Sequence, residues 1–128
     1  MSQPIVVISN QRVKEGKLEA YERYFPDVAD RVEPRVPRTL AHLAYVNEAD
    51  ASVSIIHVFP DEAAMMEHLQ GVGELGREAF DYMEIVSFDI YGELSDTMLQ
   101  NLTQMGESAI TVRVKPRPMG GHIRLKPA

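Results

Sequence analysis

The chain has 128 residues and a mass of 14.4 kDa, 45% apolar and 25% charged, with 13 Lys plus Arg against 19 Asp plus Glu and no cysteine. That length suits one domain that buries about two thirds of its unfolded surface. The apolar fraction excludes a disordered chain, and the longest apolar run, residues 5–8, is far below the roughly 20 residues of a membrane helix. No signal-like order opens the sequence, and without cysteine neither a disulfide framework nor a thiolate metal site can form. A cytoplasmic protein with no membrane partner is the expectation.

Charge is unevenly placed. All 19 acidic residues and 8 basic ones lie in positions 1–108, a net −11, whereas Arg113, Lys115, Arg117, Arg124 and Lys126 give the last twenty residues +5. Such a tail is a conceivable nucleic-acid arm. The acidic body opposes that reading by repelling a polyanion, and Ile110, Val112, Val114, Ile123 and Leu125 alternate with the cations as in a pair of strands. No nucleic-acid partner is expected; docking on an acidic surface of this chain or of a second copy is.

In chain order, residues 4–9 form a β-branched run that reads as a first strand. From Lys17, Leu18, Tyr21, Phe25, Val28 and Val32 recur at helical spacing, with Pro26 expected to kink or break the helix and Pro34 to follow its end. Residues 39–46 and 53–59 read as two strands around a polar turn. Pro60-Asp61-Glu62 opens a second helix, loosened by Gly71, Gly73 and Gly76. Those glycines match a dinucleotide fingerprint formally, but they neither follow a strand nor open a helix. A short helical piece through Ala79 and Phe80 leads to a fourth strand, residues 84–91. Ser95 or Asp96 then caps a helix ending near Gly106. Residues 110–114 and 122–125 read as a final hairpin turned by Pro116, Pro118, Gly120 and Gly121.

This order predicts an α+β protein: a ferredoxin-like β-α-β-β-α-β antiparallel sheet over residues 1–93, with a helix and basic hairpin over 94–128 as part of the same unit. The early strands carry apolar residues at both parities, Ile5 and Val7 against Val6 and Ile8. Both sheet faces are therefore expected to be covered, one by helices and the other by a second subunit, making a homodimer.

Three segments resemble the dimeric α+β barrel proteins of the antibiotic biosynthesis monooxygenase type: the opening Val6-Val7-Ile8-Ser9-Asn10-Gln11-Arg12-Val13-Lys14-Glu15-Gly16-Lys17; the first helix, closing in Pro34; and Val58-Phe59-Pro60-Asp61-Glu62-Ala63-Ala64 with His68-Leu69 after it. The resemblance spans residues 4–93. It implies a homodimer whose sheets meet as a barrel, a small pocket between each sheet and its helices, and an activity drawn from a varied set: cofactor-free quinone-forming oxygenases, haem-degrading enzymes, isomerases and proteins without known chemistry. Departures are His57, where relatives often carry Glu, and the extension beyond Leu94. His68 and Glu78 stand where haem-degrading members place Trp and a ligating His, and the chain has no Trp, so haem degradation is not expected.

Among residues able to move a proton near neutral pH, the resemblance points His68 into the pocket. His57 alternates onto the face of Ile55 and Phe59, either as a pocket residue or as a core histidine satisfied by hydrogen bonding. His42 reads as interior packing, and His122 as structural or interfacial. Asn10, at the end of the first strand, is a further pocket candidate, although strand-end asparagines also cap turns. Expected catalytic residues are thus His68, Asn10 and His57, with Tyr45, Phe59, Asp89 and Tyr91 lining the pocket. No His-x-His, His-Glu-x-x-His or phosphate loop occurs, so neither a metal nor any other cofactor is expected. Three functions stay open: a cofactor-independent oxygenase acting on an aromatic or other apolar substrate, a small-ligand-binding protein without turnover, and a structural dimeric module.

Overall fold

The structure is a computed structural model that describes residues 4–106 and 108–124. Its elements run β1 (Ile5–Val13), α1 (Leu18–Val32), a 3-10 turn (Glu33–Arg35), β2 (Ala41–Asn47), β3 (Ser52–Phe59), α2 (Glu62–Arg77), a second 3-10 turn (Glu78–Asp81), β4 (Met83–Tyr91), α3 (Asp96–Thr103) and β5 (Thr111–Lys115). The strands make one sheet in the order β2-β3-β1-β4-β5. The first four are antiparallel, which is the ferredoxin-like arrangement expected from the sequence.

β1 is the centre of the sheet and its two-residue period divides the molecule. Ile5, Val7, Ser9, Gln11 and Val13 are buried beneath the helices, whereas Val6, Ile8, Asn10 and Arg12 turn to the opposite face. From α1 the buried Tyr21, from α2 Met65 and from α3 Met98 and Leu102 join the same core as Val7, Phe59 and Ile90. The other face has no helix. Leu43, Tyr45 and Tyr91 on it are exposed, and Ile8, Ile56 and Val58 are half-buried.

Local chemistry sets the element ends. Asp61 caps α2, its carboxylate accepting from the Ala64 N–H at 2.8 Å, and Ser95 caps α3 by accepting from the Met98 N–H at 3.2 Å. Gly73 lies in α2 at φ 41° and ψ −127°, a conformation that favours glycine, and breaks the helical path beside the cavity described below. α1, by contrast, runs through Pro26 as one helix. Proline removes a single N–H there, and the surrounding apolar stripe still packs.

The C-terminal hairpin is a correction. β5 does form over Thr111–Lys115, but it pairs in parallel with β4, Phe88 opposite Val112 and Ile90 opposite Val114, after a crossover through α3. Residues 122–124 carry no strand, and Leu125 lies outside the described residues. The alternation was real; what it pairs with was not local. The open edge of β4 offers a ready ladder of donors and acceptors, whereas an isolated hairpin is only marginally stable.

The turn after β4 depends on Gly92, whose φ is 119° and whose N–H donates to the Lys115 carbonyl at 3.0 Å. A Cβ there would sit 3.3 Å from both the Ile5 Cα and the Pro4 carbonyl oxygen. Gly92→Ala should therefore cost on the order of 1–3 kcal/mol, read as a lower urea midpoint at unchanged slope.

Candidate functional site

Between the sheet and the helices lies a cavity of about 350 Å³, within the range of small-molecule sites. Its walls are mostly apolar, with Val7, Phe59, Met65 and Phe88 among them; Arg77, paired with Glu74 at 3.4 Å, also borders it, and two sets of polar groups stand out.

The first set is three histidines from three elements. The β2–β3 register places His42 opposite His57, and α2 lays His68 across them. The imidazoles of His42 and His57 stack with centroids 5.1 Å apart. His68 meets both edge-on, at 5.0 and 5.2 Å, and also meets Phe59 at 5.3 Å. One ring nitrogen of each histidine lies within 4.8 Å of those of the other two. His57 Nδ1 donates to the Val7 carbonyl at 3.1 Å; because a carbonyl can only accept, the proton belongs on Nδ1 and Nε2 keeps a free lone pair. His68 Nδ1 bonds the Thr39 hydroxyl at 2.8 Å, a partner that can either donate or accept and so serves both neutral tautomers.

Burial removes water from all three rings and disfavours the charged form. It drives His57 down to about 3, the adjacent His42 and His68 adding to the effect, and His68 down to about 4, with His42 contributing; His42 is lowered by burial. At neutral pH the cluster is a set of neutral imidazoles beside an apolar space.

The second set is Tyr21, Gln11 and Ser9. The Tyr21 hydroxyl donates to Gln11 Oε1 at 2.6 Å, and Gln11 Nε2 donates to Ser9 Oγ at 3.4 Å. Burial raises the Tyr21 phenol well above its ordinary value, so it stays protonated and available only as a hydrogen-bonding group. Tyr24, raised to about 12 chiefly by burial, donates to the Leu75 carbonyl, stacks with Tyr21 and packs at a tilt against Tyr82.

Of the residues expected from the sequence, His68, His57 and Phe59 line this cavity. Asn10, Tyr45, Asp89 and Tyr91 do not: the register places each on the helix-free face of the sheet, the one that Val6, Ile8 and Asn10 share in β1. There Asn10 Nδ2 donates to Asp89 Oδ2 at 2.8 Å and to Ser87 Oγ at 3.1 Å, while its Oδ1 accepts from Ser54 at 2.8 Å. Arg113 pairs with Asp89 at 2.7 Å, and the guanidinium holds that carboxyl below its ordinary value. The basic segment thus does meet an acidic residue of the body, through the sheet rather than through a hairpin. Tyr45 is largely exposed.

Sequence reasoning left out Gln11, Tyr21 and Thr39, and assigned His42 to packing. The signal for His42 was present. With Val46 opposite Val53 across the polar turn, counting back along both strands brings His42 opposite His57.

No protein-family model matches the chain, and no curated protein matches it. Solved structures do. MupZ from Pseudomonas fluorescens superposes with a TM-score of 0.77 at 18% identity, over 99% of this chain and 100% of that one. A Caulobacter crescentus protein provisionally named an antibiotic biosynthesis monooxygenase gives 0.63 at 15% identity, over 73% and 92%. PA3566 from Pseudomonas aeruginosa gives 0.61 at 20% identity, over 74% and 98%. At these identities the likeness establishes a shared fold.

The histidine cluster makes stability acid-sensitive. The folded state holds these rings below the unfolded value of about 6.5, so below that pH the unfolded chain binds more protons and stability falls as pH drops toward 4. Thermal melts of metal-free protein should fall across this window, and His57→Gln should flatten the decline even if it lowers the melting temperature at pH 7.

Proposed function

We propose that this chain is a small-molecule enzyme of the antibiotic biosynthesis monooxygenase type, working without an organic cofactor on an aromatic or other apolar substrate held in the cavity between sheet and helices. One observation carries the reading: neutral imidazoles border an apolar space large enough for such a molecule. The Caulobacter crescentus protein of the same fold, with its provisional name, supports it. A chain without cysteine fits a cytoplasmic setting.

In this reading His68 accepts the proton. In the tautomer that donates from Nδ1 to the Thr39 hydroxyl, the lone pair on Nε2 is free to take it. A ring held near 4 is a weak base, which restricts it to acidic substrates such as phenols, quinols and activated carbon acids. Once deprotonated, the substrate is itself the reductant: its electrons pass to dioxygen, a C–O bond forms, and the resulting hydroperoxide loses water to leave a carbonyl. One oxygen atom ends in the product and one in water, and the proton held by His68 leaves with that water. His57, fixed by Val7, orients the substrate, and the Tyr21–Gln11 pair offers a second polar contact. Asn10 has no part in it, since it occupies the other sheet face.

The test is oxygen uptake by chelator-treated protein with a panel of phenols, quinols and activated carbon acids. Turnover of one class, reduced about 100-fold or more in His68→Gln, is the expected outcome. Saturable binding without uptake would instead identify a non-catalytic ligand-binding protein. A structural module that fills its own interior is the reading least compatible with a cavity of this size.

We further propose that two copies meet through the helix-free face. Leu43, Tyr45 and Tyr91 are exposed there, around half-buried Ile8, Ile56 and Val58. Sedimentation at micromolar concentration should give a dimer for the native chain, and Leu43→Glu should shift it toward monomer.

A further inference from the structure

We infer that His42, His57 and His68 form a binding site for one divalent first-row transition-metal ion, with the cavity supplying an open coordination position. This goes beyond the proposed function: it concerns what the three lone pairs hold, and it does not depend on turnover.

The argument begins with ligand type. Three imidazoles with no thiolate suit zinc, copper, nickel or iron rather than magnesium or calcium, which prefer oxygen. One nitrogen of each ring already lies within 4.8 Å of the other two. Bonds of about 2.0–2.1 Å to a common ion would draw these nitrogens closer by an ångström or so. That movement is available to side chains that border a cavity.

Orientation is the second point. A metal-bound histidine typically gives its other ring nitrogen to a carbonyl or another oxygen, which fixes the ring and its tautomer. Val7 does this for His57 and Thr39 for His68, each at Nδ1. His57 Nε2 is left free for an ion, and so is His68 Nε2 in the tautomer that donates from Nδ1 to Thr39. His42 makes no side-chain hydrogen bond among the described residues, so it is the ligand freest to adjust.

The third point is the chemistry around the set. Among the described residues the cavity walls include no carboxylate; Glu67, next to His68 in sequence, is engaged by Arg38 at 3.1 Å. Three neutral ligands leave the ion its full double charge in an apolar pocket, which favours an anionic oxygen in the fourth position. A phenolate, enolate or carboxylate reaching the cavity would complete the shell. An ion there also occupies the lone pair that His68 offers as a base, so metal-loaded and base-competent forms exclude one another.

The test uses the full, tag-free chain after chelator treatment. Zinc is titrated calorimetrically, and cobalt is titrated while its visible ligand-field absorption is followed. The expected result is one ion per chain, a cobalt spectrum of low coordination number, and a raised melting temperature with zinc. His42→Ala should weaken zinc about 10-fold or more, and Thr39→Val, which leaves all three ligands in place, should weaken it at least several-fold. Circular dichroism confirms that both variants fold. Binding well below one equivalent at micromolar metal, or an affinity unchanged in both variants, would overturn the site. No substrate enters this titration, so its failure leaves the oxygen-uptake assay to be judged separately, and failed uptake leaves the metal site standing.

Discussion

Everything distinctive in this molecule depends on the alternation of the central strand. β1 pairs with β3 on one side and β4 on the other, and neighbouring residues along it face opposite ways. Val7, Ser9 and Gln11 belong to the cavity, whereas Ile8, Asn10 and Arg12 belong to the helix-free face. A slip of one residue would exchange the two sets, burying Arg12 and exposing Val7, and the cost of that exchange pins the register. Two separate chemistries result. Neutral imidazoles and a phenol gather under the helices, and an Asn10–Asp89–Arg113 network forms on the open face.

The cavity cluster is held together by apolar packing and anchoring hydrogen bonds, against a real electrostatic tendency. Three imidazoles at mutual centroid distances near 5 Å share a place with little water, so burial keeps each neutral, with His42 and His68 adding to the effect at His57 and His42 adding to it at His68. Their neutrality is what makes the site useful. A protonated histidine offers no lone pair; a neutral one whose second nitrogen is anchored offers a single lone pair in a known direction. Val7 and Thr39 supply those anchors from β1 and from the segment before β2. The backbone of β1 therefore also sets the tautomer of His57.

Much of the fold was legible because it is written in local periods. The helical spacing from Leu18 to Val32, the polar turn at Asn47 and Asp50, and the caps at Asp61 and Ser95 all act within a few residues. β5 was legible as a strand and not as a partner of β4, because pairing across a helical crossover leaves no local mark. The site was half legible. His57 and Phe59 share a parity that sequence displays, and His68 followed from family likeness. Asn10 and Asp89 were misplaced for one reason: with apolar residues at both parities, nothing local says which face of the strand the helices cover. Tyr21 looked like one more member of an apolar stripe, and only its hydroxyl bond to Gln11 reveals a polar role.

Among the described residues no carboxylate lines the cavity, and this orders the remaining possibilities. An acid beside the histidines would pair with them, raise their proton affinity and fill the site with an internal ion pair. Here Glu67, next to His68 in sequence, is drawn to Arg38, and Asp89 lies on the opposite face of the sheet with Arg113. The imidazoles are left without a charged partner of their own. In the proposed chemistry their partner is an acidic proton on a substrate, and in the proposed metal site it is a cation with an anionic ligand. Either partner has to enter through apolar walls. That requirement selects small, weakly polar molecules carrying one acidic oxygen or carbon, which is the substrate class on which the proposed chemistry rests.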